Sequence, residues 1–267
     1  MPLFALLLVL AAVPSQAALQ YDYVVKSVSE ENSDLSARAT VDGTRSRIEF
    51  LAGNTYPPGT YVITSDGSRL IFVDPANKWY TEFNAGGAVS AVGASNITVD
   101  NIEHKVHKLA DSQLVAGIAT EHYQIVLDYD VTVLMRSIPL KAHVHTVIDN
   151  WVTDRFGDLA QPVMTNSVRT GNAKIDSLLD FETENKIKGF PMKQVATTRT
   201  TFENRATQSQ LKVNPTRTVR REMRVTAIRE TEASPAMFVV PPGFIRATTP
   251  EMPRTASQVL TFEPGSK

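Results

Sequence analysis

The sequence contains no cysteine among its 267 residues. This absence excludes a disulfide framework, a thiolate metal site, a cysteine nucleophile and a lipid anchor attached through cysteine. A chain of this length without disulfides must be held together by its hydrophobic core. For an exported protein, the lack of cysteine fits a bacterial periplasm or cell exterior better than a small eukaryotic secreted module.

The sequence also lacks a long hydrophobic run. Its most apolar stretch covers residues 3–13 and is followed by small residues at Ser15 and Ala17. This stretch is shorter than the ~20 apolar residues that a membrane-spanning helix needs. The pattern predicts a secretory signal peptide at residues 1–17, with a short buried helix as the alternative. We therefore expect a bacterial protein that is periplasmic or secreted and does not span the membrane.

The signatures of common enzyme classes are missing as well. The sequence has no G-x-S-x-G elbow, no G-x-x-x-x-G-K phosphate loop and no H-E-x-x-H zinc motif. Two acidic pairs, Asp128 with Asp130 and Asp176 with Asp180, have the residue types of a general acid and base. Carboxylates scattered in this way are usually solvated surface charges. We predict that the protein is not an enzyme and has no cofactor.

Histidine offers one candidate metal site. His143 and His145 are two residues apart on a predicted strand, so both imidazoles should face the same way. Asp149 or His122 would then supply a third zinc ligand from the same or a neighbouring strand. Two histidines on a solvated sheet face are more often simple surface residues, and we predict no metal.

What the sequence does contain is the pattern of β-strands. In YVITSDGSRLIFVDPANKWYTEF, residues 61–83, three runs of β-branched and aromatic residues are separated by the turn signals SDGS and DPAN. This predicts three consecutive antiparallel strands. Asp42 and Gly43 predict another tight turn between paired strands.

A longer strand is predicted in GIATEHYQIVLDYDVTVLM, residues 117–135. Its period of two puts Tyr123, Ile125, Leu127 and Tyr129 on one face and mainly polar residues on the other. We expect the first face to be buried and the second to be mostly solvated.

One segment changes to a helical period. Ile175, Leu178 and Leu179 have the spacing of a narrow apolar stripe, which predicts a helix within residues 155–185 that lies on a sheet. Strands on both sides of one helical insertion predict an α+β fold with an antiparallel sheet. We expect a single domain over residues 18–247 and a loosely ordered tail at residues 248–267.

Several short phrases resemble a known family. They are SDGSRLIFVDPANKWYTEF, VAGIATEHYQI, NWVTDRF, KGFPMKQ and FVVPPGFI, spread over about residues 21–245. They resemble a family of uncharacterised exported bacterial proteins related to the periplasmic lipoprotein carriers, the LolA-like superfamily. The resemblance implies a strongly curved antiparallel sheet, like an unclosed barrel, with helices covering its concave face. It also implies a cavity between sheet and helices that accepts acyl chains, without catalysis.

The predicted helix is too narrow to cover a sheet face rich in large apolar groups. We therefore predict that the remaining gap binds a hydrophobic ligand such as a lipid or acyl chain. The candidate lining residues of this hydrophobic cavity are Phe72, Tyr80, Tyr123, Ile125, Leu127, Trp151, Leu178 and Met192.

Basic residues are concentrated late in the chain. Residues 186–229 contain eleven lysines and arginines but two acidic residues. This predicts either a surface for anionic lipid headgroups or an exchange of charge between adjacent strands. Aromatic residues are too sparse there for single-stranded nucleic acid, so we predict no nucleic-acid partner. The candidate headgroup residues are Arg217, Arg220, Arg221 and Arg224.

Together these patterns predict a non-enzymatic cell-envelope protein that binds a lipid or another hydrophobic ligand. One alternative is an envelope module that senses or contacts a partner protein through its open sheet. Another alternative is a metal-assisted hydrolase. The three functions differ in what should co-purify with the protein, namely acyl chains, a partner protein or zinc.

Overall fold

Runs of β-branched and aromatic residues form most of the secondary structure, since their side chains fit a pleated, half-buried surface. The computed structural model describes residues 18–27, 34–53, 56–64, 69–84, 97–135, 138–156, 187, 189–203 and 214–247. Most of these residues lie in twelve β-strands, with one 3₁₀ helix at Pro235–Phe238. No helix in this part of the chain is long and apolar enough to cross a membrane.

The first six strands form an antiparallel meander. They are β1 (Ala18–Ser27), β2 (Leu35–Asp42), β3 (Arg45–Gly53), β4 (Tyr61–Thr64), β5 (Arg69–Asp74) and β6 (Trp79–Asn84). Each strand pairs with the next one in sequence. The three antiparallel strands predicted in residues 61–83 are thereby confirmed.

Two turns show why the chain reverses where it does. Gly43 has a φ of 59° and opens the two-residue connection between β2 and β3, a conformation that glycine adopts without steric cost. Between β5 and β6, the Asp74 carboxylate accepts hydrogen bonds from the backbone N and the side-chain Nδ2 of Asn77, at 3.1 and 2.8 Å. These bonds stabilise the turn that the letters DPAN predict.

A second antiparallel meander follows. It consists of β7 (Ile97–Val115), β8 (Ile118–Met135), β9 (Ile138–Thr153), β10 (Phe190–Phe202) and β11 (Thr216–Thr231). The β7–β8 hairpin turns at Ala116 and Gly117, whose φ angles of 49° and 77° are both positive, as a type I′ turn requires. The last strand, β12 (Ile245–Arg246), pairs parallel with β6.

One pairing joins the two meanders into a single sheet. β1 pairs antiparallel with β11 along its whole length, from Ala18 opposite Thr231 to Ser27 opposite Arg221. The resulting strand order is β12-β6-β5-β4-β3-β2-β1-β11-β10-β9-β8-β7. The sheet is unclosed, because β12 and β7 form two separate edges.

We call the sheet face that carries the main buried cluster the inner face, and the opposite face the outer face. Because alternate residues of a strand share a face, the cluster combines every second residue of neighbouring strands. Tyr21 and Phe190 meet edge to face in it, with ring centroids 4.9 Å apart, a geometry that aromatic pairs favour. The cluster contains Leu19, Tyr21, Ala39, Val41, Val115, Phe156, Phe190, Met192, Met223 and Val225.

The tip of the β7–β8 hairpin, residues 112–121, is part of this cluster. Val115 is 1% exposed, and Ile118 packs against the same buried group. A bulge between Leu109 and Ser112 interrupts β7 just before the tip, and such bulges bend a strand and increase its twist. The bend allows the tip to reach β11, whose residues 225–231 pair with β1 alone in the described registers.

The predicted α+β fold, with helices covering the concave face of the sheet, is wrong. The described residues contain no α-helix, and no helix among them lies over the inner face. The helix predicted within residues 155–185, including Ile175, Leu178 and Leu179, falls outside the described residues except for its first two positions, which lie in a turn. The expectation of an antiparallel, unclosed sheet was correct. Apolar surface on its inner face is buried by the hairpin tip and Phe156.

The packing of the hairpin tip predicts a contrast between neighbouring positions. Val115→Asp should lower the free energy of unfolding by about 3 kcal/mol or more, because it places an unpaired carboxylate in the buried cluster. Leu114→Asp is the matched control, since Leu114 is 67% exposed and its replacement should cost no more than about 0.5 kcal/mol. Urea denaturation of both variants gives the comparison. Equal losses would show that the tip does not pack as described.

Candidate functional site

The predicted cavity residues do not come together in one place. Tyr123, Ile125 and Leu127 lie on the inner face, as do their partners across β9, and Met192 belongs to the inner cluster. Trp151 pairs with His122 and lies on the outer face. Leu178 falls outside the described residues.

The two predicted lining residues of the first meander are also on opposite faces. Phe72 packs with Ala37 and Phe50 on the inner face. Tyr80 lies opposite Val73 and packs on the outer face against a cluster that includes Phe238 of the 3₁₀ helix. Phe72 and Met192 belong to different buried clusters, and neither lines the cavity described below.

The four predicted headgroup arginines divide between the faces in the same way. Arg224 lies opposite Val24, and Arg220 shares its outer face, whereas Arg217 and Arg221 alternate with them and point to the inner side. Arg217, Arg220 and Arg221 each have an interaction partner. In the described part of the chain, the guanidinium of Arg224 makes no hydrogen bond or ion pair.

A cavity of about 440 Å³ lies where the free edge of β11 faces the hairpin tip. We call it the seam cavity. Its volume falls within the range of about 300–1,000 Å³ that is usual for small-molecule sites. It is lined by Val24, Lys26, Ala116, Glu222, Arg224, Val225 and Thr226.

The lining combines apolar and charged groups. Val24 and Ala116 supply accessible apolar surface, whereas Val225 borders the cavity but is fully buried. Lys26 and Arg224 are exposed cations, and Glu222 lies opposite Lys26 across the strand pair. The cavity therefore carries one net positive charge beside the apolar side chains of Val24 and Ala116, an arrangement that suits an amphiphile with an anionic head.

Sequence reasoning identified Arg224 and missed the other six lining residues. The strands that contain Val24, Lys26 and Glu222 were predicted, but a strand prediction does not say which strand lies beside which. Ala116 belongs to the segment VAGI, which predicts a turn. The segment does not indicate which part of the sheet this turn packs against. No local signal would have found the seam cavity, because Ala116 lies about 100 positions from Val24 and about 100 positions from Arg224 in the sequence.

Histidines and aspartates alternate on the outer face of β8 and β9. Nδ1 of His143 lies 2.9 Å from Oδ1 of Asp130, and Nδ1 of His145 lies 2.7 Å from Oδ1 of Asp128. The hydrogen bond with Asp130 raises the pKa of His143 above its usual value. Hydrogen bonds donated by Asn101 and His143 lower the pKa of Asp130. Both imidazoles face the same way, as predicted, and each is held by a carboxylate.

The third ligand considered for a metal is engaged elsewhere. Asp149 accepts from Nε2 of His122 at 3.2 Å, away from the pair formed by His143 and His145. Within the described ranges, no group of three or more histidine, aspartate or glutamate side chains is arranged to hold a metal ion.

The chain matches no protein-family profile and no curated protein. Among solved structures, it is similar to an uncharacterized conserved protein from Thermus thermophilus, with 9% identity over 87% of this chain and 90% of that chain and a TM-score of 0.38. It is similar to PNGF-II with 9% identity over 86% of this chain and 30% of that chain, at a TM-score of 0.34. It is also similar to a LolA superfamily protein from Nitrosomonas europaea, with 8% identity over 84% of this chain and 90% of that chain and a TM-score of 0.28. These likenesses are too distant to assign a family or a function.

The carboxylate beside His143 predicts how its titration responds to mutation. Asp130→Asn should lower the pKa of His143 toward that of an ordinary imidazole, because the amide cannot stabilise the imidazolium by charge. The titration is followed by NMR of the imidazole carbon-bound protons. Asp149→Asn is the control, since Asp149 contacts His122 rather than His143. An unchanged His143 titration in Asp130→Asn would contradict the assigned hydrogen bond.

Proposed function

We propose that the protein is a non-enzymatic bacterial cell-envelope protein that binds a lipid with an anionic head in the seam cavity. The observation that carries the proposal is the composition of this cavity, in which two cations lie beside apolar side chains. The resemblance of several sequence phrases to the LolA-like superfamily points in the same direction. The proposed location in the periplasm or outside the cell follows from the signal peptide predicted at residues 1–17.

The apolar part of the cavity would hold the acyl chain. Each methylene group that Val24 and Ala116 bury contributes about 0.8 kcal/mol, which offsets part of the loss of ligand freedom. Val24 lies opposite Arg224, and Val225 follows Arg224 in β11, so the tail and the head would be bound by the same strand pair.

The charged part would hold the head. Arg224 has no partner among the described residues and is therefore available to a carboxylate or phosphate oxygen. Lys26 adds a second cation, while Glu222 offsets one charge and would favour heads with a single negative charge.

The proposal predicts a charge series in ligand binding. Arg224→Ser should weaken the binding of a fluorescent fatty acid by about tenfold, because a charged hydrogen bond is lost. Glu222→Gln should strengthen binding, because it removes the like charge beside the head. Arg220→Ser is the matched control, since Arg220 shares the outer face but does not line the cavity. Fluorescence titration of delipidated protein measures all three.

A fatty alcohol of the same chain length distinguishes the contribution of the charged head to binding from that of the acyl tail. It should bind the parent and Arg224→Ser equally well, because it carries no charge for Arg224 to meet. If the delipidated protein takes up neither ligand, and native mass spectrometry of protein from its own envelope finds no lipid, the lipid proposal is rejected. A protein that co-purifies in place of lipid would support the alternative of an interaction or sensory module.

A further inference from the structure

The charged side chains of the seam cavity do not pair with one another. Lys26 lies directly opposite Glu222 across β1 and β11, and Arg224 follows Glu222 by two residues on the same face. Glu222 is half-buried, whereas Lys26 and Arg224 are exposed. None of the three makes a hydrogen bond or an ion pair with any residue that the structure describes. One carboxylate and two cations therefore line the cavity with their bonding capacity unused.

The positions of these charges would normally favour a direct ion pair. Opposite charges that face each other across antiparallel strands attract, so Lys26 and Glu222 are natural partners. Here they border a cavity of about 440 Å³ instead of closing on each other. A ligand with only a negative charge would satisfy the cations but would lie beside the Glu222 carboxylate. A ligand with one group of each sign satisfies both the cations and the carboxylate.

The spacing of Glu222 and Arg224 limits the distance between the two ligand groups. Alternate residues of a strand lie about 7 Å apart, because each residue advances the strand by about 3.4 Å. Long side chains at this spacing can converge on neighbouring groups of one ligand. A phosphodiester and an ammonium joined by two carbons are such groups. The guanidinium of Arg224 suits two phosphate oxygens, and the Glu222 carboxylate accepts hydrogen bonds from an ammonium.

The lining also distinguishes between kinds of ammonium group. A quaternary ammonium has no N–H to donate and is typically bound by the faces of aromatic rings. The described residues that line the cavity include no aromatic side chain. A primary ammonium donates hydrogen bonds, for which the Glu222 carboxylate is the acceptor. The cavity therefore suits an ethanolamine head better than a choline head.

We propose that the seam cavity binds a phosphoethanolamine head, with Arg224 and Lys26 at the phosphate and Glu222 at the ammonium. The phosphodiester of this head carries a single negative charge, and its ammonium occupies the site that would repel a second one. This inference deepens the proposed function and rests on it for the acyl tail alone, because the head contacts need no apolar surface. A fatty acid, by contrast, has no group for Glu222 to bind.

Competition between lysolipids of equal chain length tests the head. Each lysolipid displaces a fluorescent fatty acid from the delipidated full chain. We expect lysophosphatidylethanolamine to bind the parent about tenfold more tightly than lysophosphatidylcholine or lysophosphatidylglycerol, because it alone donates a charged hydrogen bond to Glu222. Glu222→Gln should remove most of this preference, although it strengthens the binding of the fatty acid itself. Glu230→Gln is the matched control and should keep the preference, since Glu230 lies on β11 but does not line the cavity.

A probe without an acyl chain keeps the head site and the lipid site distinguishable. In ligand-observed NMR, glycerophosphoethanolamine should bind the parent more tightly than glycerophosphocholine. If the parent does not prefer ethanolamine in either set of probes, or if Glu222→Gln keeps the preference, the head assignment is rejected even when fatty acid binds. If no lysolipid or fatty acid binds but glycerophosphoethanolamine binds through Glu222, lipid binding is rejected and the head site stands. If none of the probes binds, both are rejected.

Discussion

The pairing of β1 with β11 is the constraint on which the rest of the structure depends. Each meander is built from neighbours in sequence, but β1 and β11 are separated by about 200 residues and nevertheless pair along the whole of β1. Side chains reinforce this pairing, since Thr226 donates to the backbone oxygen of Asp22 and Arg229 donates to Gln20. Contacts at such separation are formed late and against a large loss of chain entropy, so folding should be limited by this step.

The same pairing creates the seam cavity. β11 extends past the point where its pairing with β10 begins, at Arg224 opposite Lys193. Beyond this point, one edge of β11 pairs with no strand among the described residues. An exposed strand edge invites association with other chains, and proteins usually cover it. Here the hairpin tip, bent at its bulge, provides the cover and leaves the gap that Ala116 and Arg224 line. The cavity is thus a consequence of unequal strand lengths.

Polar pairs on the outer face stabilise the pairing register of β8 and β9. His143 and His145 are opposite Asp130 and Asp128 across β8 and β9, so a shift by one residue would separate every imidazole from its carboxylate. His122 extends this pattern to β7 through Asp111.

The sequence alone determined the strand character of the chain and several of its turns. β-branched runs, period two and the letters DG and DPAN are local signals, and local backbone preference is enough to place β4, β5 and β6 and the face that Tyr123, Ile125 and Leu127 share. Local charge also indicated Arg224, which lines the seam cavity. The α+β class was wrong because the described residues form strands almost throughout and contain no α-helix.

Only the tertiary structure decided which strands meet. Trp151 and Tyr80 were assigned to the same cavity as Leu127, but the sheet order puts them on the outer face, because the face of a residue depends on registers set by distant partners. Val24, Ala116 and Glu222 come together only through the pairing of β1 with β11 and the bend of β7. Sequence patterns encode the period of each strand, whereas long-range pairing is chosen by the total packing of the sheet, which no single segment contains.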